Sequence, residues 1–193
     1  MTRTRTLHPV ERADLKIADK IGLDQRSAAG RWMAHFADLG DQPPMVALSL
    51  GVAGIGALRR DERMARTGLR MLAAHALATM AKLLVKNLVD RTRPGALNQK
   101  SYRLEKGPSR DGRLRSMPSG HSAGAVAVAA SIGDDYPRTQ GAAVVAAAAI
   151  AATQLPSRNH YLSDVIVGAG LGLAAAALAQ RLVPPQDAVA RPG

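Results

Sequence analysis

Apolar residues along this chain gather into five segments, roughly residues 45–58, 67–85, 121–133, 141–155 and 165–183, separated by polar or charged connections. Within each segment the apolar run is almost unbroken, which predicts helices that are apolar around most of their circumference. Residues 1–44 follow another pattern. Charges alternate there with scattered apolar positions, and Leu15, Ile17, Ile21 and Leu23 form a stripe, so the region reads as amphipathic and interfacial. The predicted fold class is all-α: a bundle of about five transmembrane helices within residues 45–183, preceded by the amphipathic residues 1–44 and followed by a flexible tail, residues 184–193.

Hydropathy alone leaves an alternative. A membrane span takes about 20 mostly apolar residues, and several of these segments are nearer 14 or 15. A soluble bundle with buried alanine-rich helices fits the same pattern. Composition favours close helix packing in either solvent, since the 47% hydrophobic content includes one Trp, one Phe and three Tyr, the rest being aliphatic or Met. Absence of cysteine excludes disulfides and thiolate metal sites. The basic N-terminus is not followed by an apolar run of signal-peptide type, so a cleaved secretory signal is not expected.

Charge narrows the chemistry. The formal net charge is +11, and residues 86–115 hold nine Lys or Arg against three Asp or Glu. Such a loop suits phosphate, anionic lipid or nucleic acid. Nucleic acid is disfavoured because no zinc, RNA-recognition or aromatic-stacking signature accompanies the charge.

Three short segments carry candidate chemistry. In KNLVDRTRP, residues 86–94, Lys86 and Arg93 stand seven apart, nearly two helical turns, so a helix continuing through them would place both cations on one face. In MPSGHSAG, from Met117, Ser119 and Gly120 open an apolar helix whose N-terminus can hold an anion beside His121. In NHYLSD, from Asn159, His160 and Asp164 are spaced so that a carboxylate can face an imidazole on a helix. An aspartate partner sets the tautomer and leaves the other ring nitrogen free as a nucleophile, with His121 as a general acid. Taken singly, each has a structural explanation too: a basic helix end at a membrane boundary, a helix cap, a helix-start ion pair.

In this order the segments resemble the signature of the type 2 phosphatidic acid phosphatase superfamily, K-x6-RP, then PSGH, then SR-x5-H-x3-D. The resemblance covers roughly residues 45–183. It implies a phosphohistidine intermediate on His160, His121 as acid, Asp164 as the partner of His160, and Lys86, Arg93, Ser119 and Gly120 around the phosphate, with neither metal nor cofactor. One departure is plain, because the family's Ser-Arg falls on Thr153 and Gln154. Arg158, in the QLPSRNH loop, is the expected replacement cation. The implied protein is an integral membrane enzyme of the cell membrane that acts on a phospholipid or prenyl phosphate. A chain impaired in catalysis that binds anionic lipid is the alternative.

Overall fold

In the computed structural model, which describes residues 6–24, 26–99 and 101–184, the chain forms seven α-helices and one small hairpin among the described residues. The helices are α1 Pro9–Ile21, α2 Ala28–Asp38, α3 Gln42–Arg59, α4 Glu62–Lys86, α5 Gly120–Asp135, α6 Pro137–Thr153 and α7 Leu162–Leu182. The five apolar segments thus become α3 to α7, each helix starting earlier in the chain than its apolar run. Nearly all of the expected tail, residues 185–193, lies outside the described residues.

Helix boundaries follow local chemistry. Asp61 caps α4 by accepting from the Met64 N–H, and Ser119 caps α5 by accepting from the Ser122 N–H. Proline stands in the first turn of α1, α3 and α6, where its missing N–H costs nothing. The N-terminal region forms two helices, because Ser27 starts α2 as a new cap after the break at Gly22.

Central in the bundle is α5, packed against α4, α6 and α7. Its core is alanine: Ala74 and Ala78 of α4, Ala123 and Ala127 of α5, and Ala175, Ala176 and Ala179 of α7. Gly168 and Gly172 let α7 approach until an added Cβ would lie 2.4 Å from the Ser119 carbonyl and 2.5 Å from that of Ala123. This is the small-residue packing that brings helix backbones together. At one end of the bundle Arg70 of α4, buried, pairs with Asp135 at the end of α5 and donates to the Val183 carbonyl after α7.

Outside, the bundle is apolar. Leu48 and Leu50 of α3, Leu83 and Leu84 of α4, Val144 and Val145 of α6, and Ile166, Leu173 and Leu178 of α7 are all exposed. Among the described residues two helices, α4 and α7, are long and apolar enough to cross a membrane, and only 33% of the apolar window of each is buried. A soluble bundle would bury those faces.

The connection from α4 to α5 folds over the opposite end from Arg70. Strands β1, Val89–Arg91, and β2, Leu104–Lys106, pair antiparallel with Val89 opposite Lys106 and Arg91 opposite Leu104. Helix α4 therefore stops at Lys86 and does not continue through Arg93. Asn87 ends it, and Pro94 disfavours helical backbone at Arg93, whose ψ of 147° is extended.

Candidate active site

The end of α4, the starts of α5 and α7 and the end of α6 converge beneath this hairpin. Two backbone-linked contacts tie them: the Ser119 N–H donates to the Asp164 carbonyl at 3.0 Å, and the Arg93 guanidinium reaches the Asn159 carbonyl at 3.4 Å. Between them lies a cavity of about 130 Å³ lined by Gly40, Asp41, Gln42, His75, Lys82, Lys86, Arg93, Gly120, His121 and His160. Five of the residues expected from the sequence, Lys86, Arg93, Gly120, His121 and His160, thus share one wall-to-wall site. Lys86 and Arg93 meet there by a chain reversal rather than along one helix face.

His160 precedes α7 and is only 2% exposed. Burial pushes its imidazole down to about 4; the Asp164 carboxylate pulls against that shift, and Arg93 and Lys86 add to it. The ring is therefore neutral at ordinary pH, as a nitrogen nucleophile requires. Its Nδ1 faces Asp164 Oδ2 at 3.8 Å, longer than a hydrogen bond. The other nitrogen, Nε2, is left for the cavity.

Asp164 is held by more than its histidine. Its Oδ1 accepts from Arg91 Nη1 at 2.7 Å, and its Oδ2 accepts from the Ser116 hydroxyl at 2.6 Å and the Tyr161 N–H at 2.9 Å. Arg91, also buried, donates through Nη2 to Asp14 of α1 at 2.8 Å, and its guanidinium carbon lies 4.2 Å from the Tyr161 ring centre. Burial opposes the charge on Arg91, but Asp164 and Asp14 outweigh it and raise its proton affinity. Asp14 in turn accepts from the Ser163 N–H at 3.1 Å, pinning α1 to the start of α7.

Across the cavity His121 Nε2 meets Asp41 Oδ1 at 2.8 Å. The imidazoles of His121 and His160 lie 6.4 Å apart, centre to centre, at 62°. Lys86 donates to the Arg115 carbonyl, and Arg93 Nε donates to that of Gly112 at 2.9 Å, so the hairpin connection sets the direction of both cations. Asp38, Asp41 and His121 also bring one ligand atom each to within 4.8 Å of one another, although both carboxylates are exposed.

Two expected phosphate ligands lie elsewhere. Ser119 is buried with its hydroxyl accepting from Ser122 Oγ at 2.9 Å, so it caps α5 and does not line the cavity. Arg158 takes a left-handed backbone, φ 56°, and turns toward the end of α1, where a Cβ on Gly22 would sit 2.3 Å from its Nε. The cause is the docking of the α1–α2 connection on the QLPSRNH loop: the Leu23 N–H donates to the Pro156 carbonyl at 2.8 Å, which places α1 on the outer side of that loop. Gln154 is fully buried and neutral. Sequence reasoning missed Asp14, Arg91, Ser116, Asp41, His75 and Lys82. Arg91 lies inside KNLVDRTRP and was within reach, because a buried guanidinium demands carboxylate partners; nothing in the sequence marks which carboxylates those are.

Comparison with solved structures finds the same fold in two. One is the crystal structure of Aquifex aeolicus LpxE, 20% identical, with a TM-score of 0.66 over 94% of this chain and 99% of that one. The other is the first transmembrane PAP2 type phosphatidylglycerolphosphate phosphatase from Bacillus subtilis, 21% identical, with a TM-score of 0.69 over 96% of this chain and 89% of that one. A comparison with curated protein sequences finds no match. The PAP2 superfamily profile matches residues 67–187, well over half of the sequence and all three motifs that line or support the cavity, and the chain belongs to that superfamily.

Proposed function

We propose that this protein is an integral membrane phosphatase of the cell membrane that hydrolyses a lipid phosphate or diphosphate through a phosphohistidine on His160. The observation that carries the reading is the facing pair of histidines in one cationic cavity, a neutral buried His160 opposite a carboxylate-paired His121. Superfamily membership supports the reaction class. The apolar outer faces of α4 and α7 support about five spans, with α3, α5 and α6 completed by their polar ends. They also supply a route by which a lipid tail stays in the bilayer while its phosphate enters the cavity.

In the first half-reaction the His160 Nε2 lone pair forms an N–P bond as the P–O ester bond breaks, and His121 gives its proton to the departing oxygen. In the second, water attacks phosphorus, His121 takes the water proton, and the N–P bond breaks to release inorganic phosphate and neutral His160. Lys86, Arg93 and the N–H groups opening α5 at Gly120 oppose the charge on the phosphoryl oxygens throughout. Asp164 faces His160 Nδ1 and orients the ring as the two close to hydrogen-bond distance in the reacting complex, while Arg91 and Asp14 hold Asp164. No step needs a metal or a cofactor.

Purified protein in detergent, supplied with phosphatidate, phosphatidylglycerophosphate and prenyl diphosphate, releases inorganic phosphate from at least one of them, before and after EDTA treatment. His160→Ala removes that turnover. Turnover retained by His160→Ala, or lost in EDTA and restored by a divalent ion at Asp38, Asp41 and His121, contradicts the mechanism.

A further inference from the structure

Helix α4 turns His75, Lys82 and Lys86 toward the cavity, seven and four residues apart, spacings that return to one helix face. Lys86 belongs to the first motif; the other two belong to none. Lys82 is half-buried, and its stem runs across the N-terminus of α5, where a Cβ on Gly120 would come 2.6 Å from Lys82 Cδ and 3.2 Å from Nζ. Gly120 therefore has a second use, since any side chain there would push Lys82 off the helix end. Beneath it His75 is only 4% exposed, lines the same cavity, and has neither ring nitrogen hydrogen-bonded among the described residues.

Other positions from which a cation could serve the phosphate are paired, turned away or neutral. Arg91 serves Asp14 and Asp164, Arg158 faces Gly22, and position 154 carries a neutral glutamine. Lys86 and Arg93 remain, each already directed by a carbonyl of the segment between the hairpin and α5. A transferring phosphoryl group spreads its charge over three equatorial oxygens, and a site built from two cations leaves one of them to the helix end alone.

We propose that Lys82 is a third phosphate-binding catalytic residue, its ammonium meeting the phosphoryl group at the N-terminus of α5, with His75 bounding the same pocket below. This rests on the phosphatase reading, and the test separates the two. Wild type, Lys82→Gln and Lys82→Arg are compared for turnover and, independently, for binding of inorganic phosphate followed by 31P NMR line broadening. Lys82→Gln loses on the order of 100-fold in kcat/KM, the range for one transition-state donor, and binds phosphate about 10-fold more weakly, as loss of a charge-assisted bond implies. Lys82→Arg recovers most of both. Lys82→Met replaces Lys82→Gln if that variant does not fold. Normal turnover and phosphate binding in the neutral variant overturn the proposal while leaving the phosphatase reading intact. A wild type that turns over no lipid phosphate, yet loses phosphate affinity with Lys82, sinks the activity and keeps the anion site. A wild type that neither turns over a lipid phosphate nor binds inorganic phosphate removes both.

Discussion

His160 shows how one residue's burial sets both chemistry and stability. Its folded-state proton affinity lies below the ordinary 6.5, at about 4, because burial disfavours the imidazolium. Above 6.5 the ring is neutral folded or unfolded, so it contributes no pH dependence. As pH falls from 6.5 toward about 4, the unfolded chain binds a proton that the native site refuses, and stability declines with acid through that window. The expected result is that thermal melts of wild type worsen on acidification between those values more than melts of His160→Gln do. Equal declines in both proteins would show that His160 is not held neutral. The same burial keeps the nucleophile unprotonated beside Lys86 and Arg93, which a free imidazole near neutral pH would be only in part.

At the scale of elements, α1 is the surprise. Its apolar stripe is only partly covered, and the face it buries is polar, carrying Glu11 and Asp14. Asp14 reaches Arg91 on β1 and Ser163 on α7, so an N-terminal helix that reads as interfacial also braces the carboxylate behind the nucleophile. Asp14→Ala should cost about 3 kcal/mol, the low end for breaking a buried ion pair, because Asp164 still faces Arg91. It should also lower kcat with little change in KM, since Arg91 and Asp164 touch no substrate. Unchanged melting and unchanged kcat would assign α1 to the interface alone. Helix α2 leaves Trp32 66% exposed, with its ring centre 6.3 Å from that of Phe36, which is exposed as well.

Across the whole molecule, polarity is inverted relative to a soluble bundle. Charges and histidines are buried at the two ends, Arg70 with Asp135 at one and the cavity with Arg91 at the other, while the belt between them is alanine inside and Leu, Val and Ile outside. Such a belt is stable in hydrocarbon and a liability in water. After expression in cells the protein should remain in the membrane pellet through alkaline carbonate washing and leave it only in detergent. Recovery in the carbonate supernatant would return the reading to a soluble bundle.

The sequence by itself determined the helical class, the positions of the five core helices, and half of the residues that line the cavity, because apolar runs and motif spacing are local properties of the chain. Lys86, Arg93, Gly120, His121 and His160 were all legible in this way. Tertiary structure decided what depended on partners far along the chain. Arg93 joins Lys86 through a hairpin and not a helix, Ser119 spends its hydroxyl on its own helix, and Arg158 faces α1 because residues more than a hundred positions away dock beside it. Lys82, His75 and Asp41 enter the site for the same reason. Each lies in a segment whose local pattern says only helix or helix cap, and only the packing of α3, α4 and α5 aims them at one phosphate-sized space.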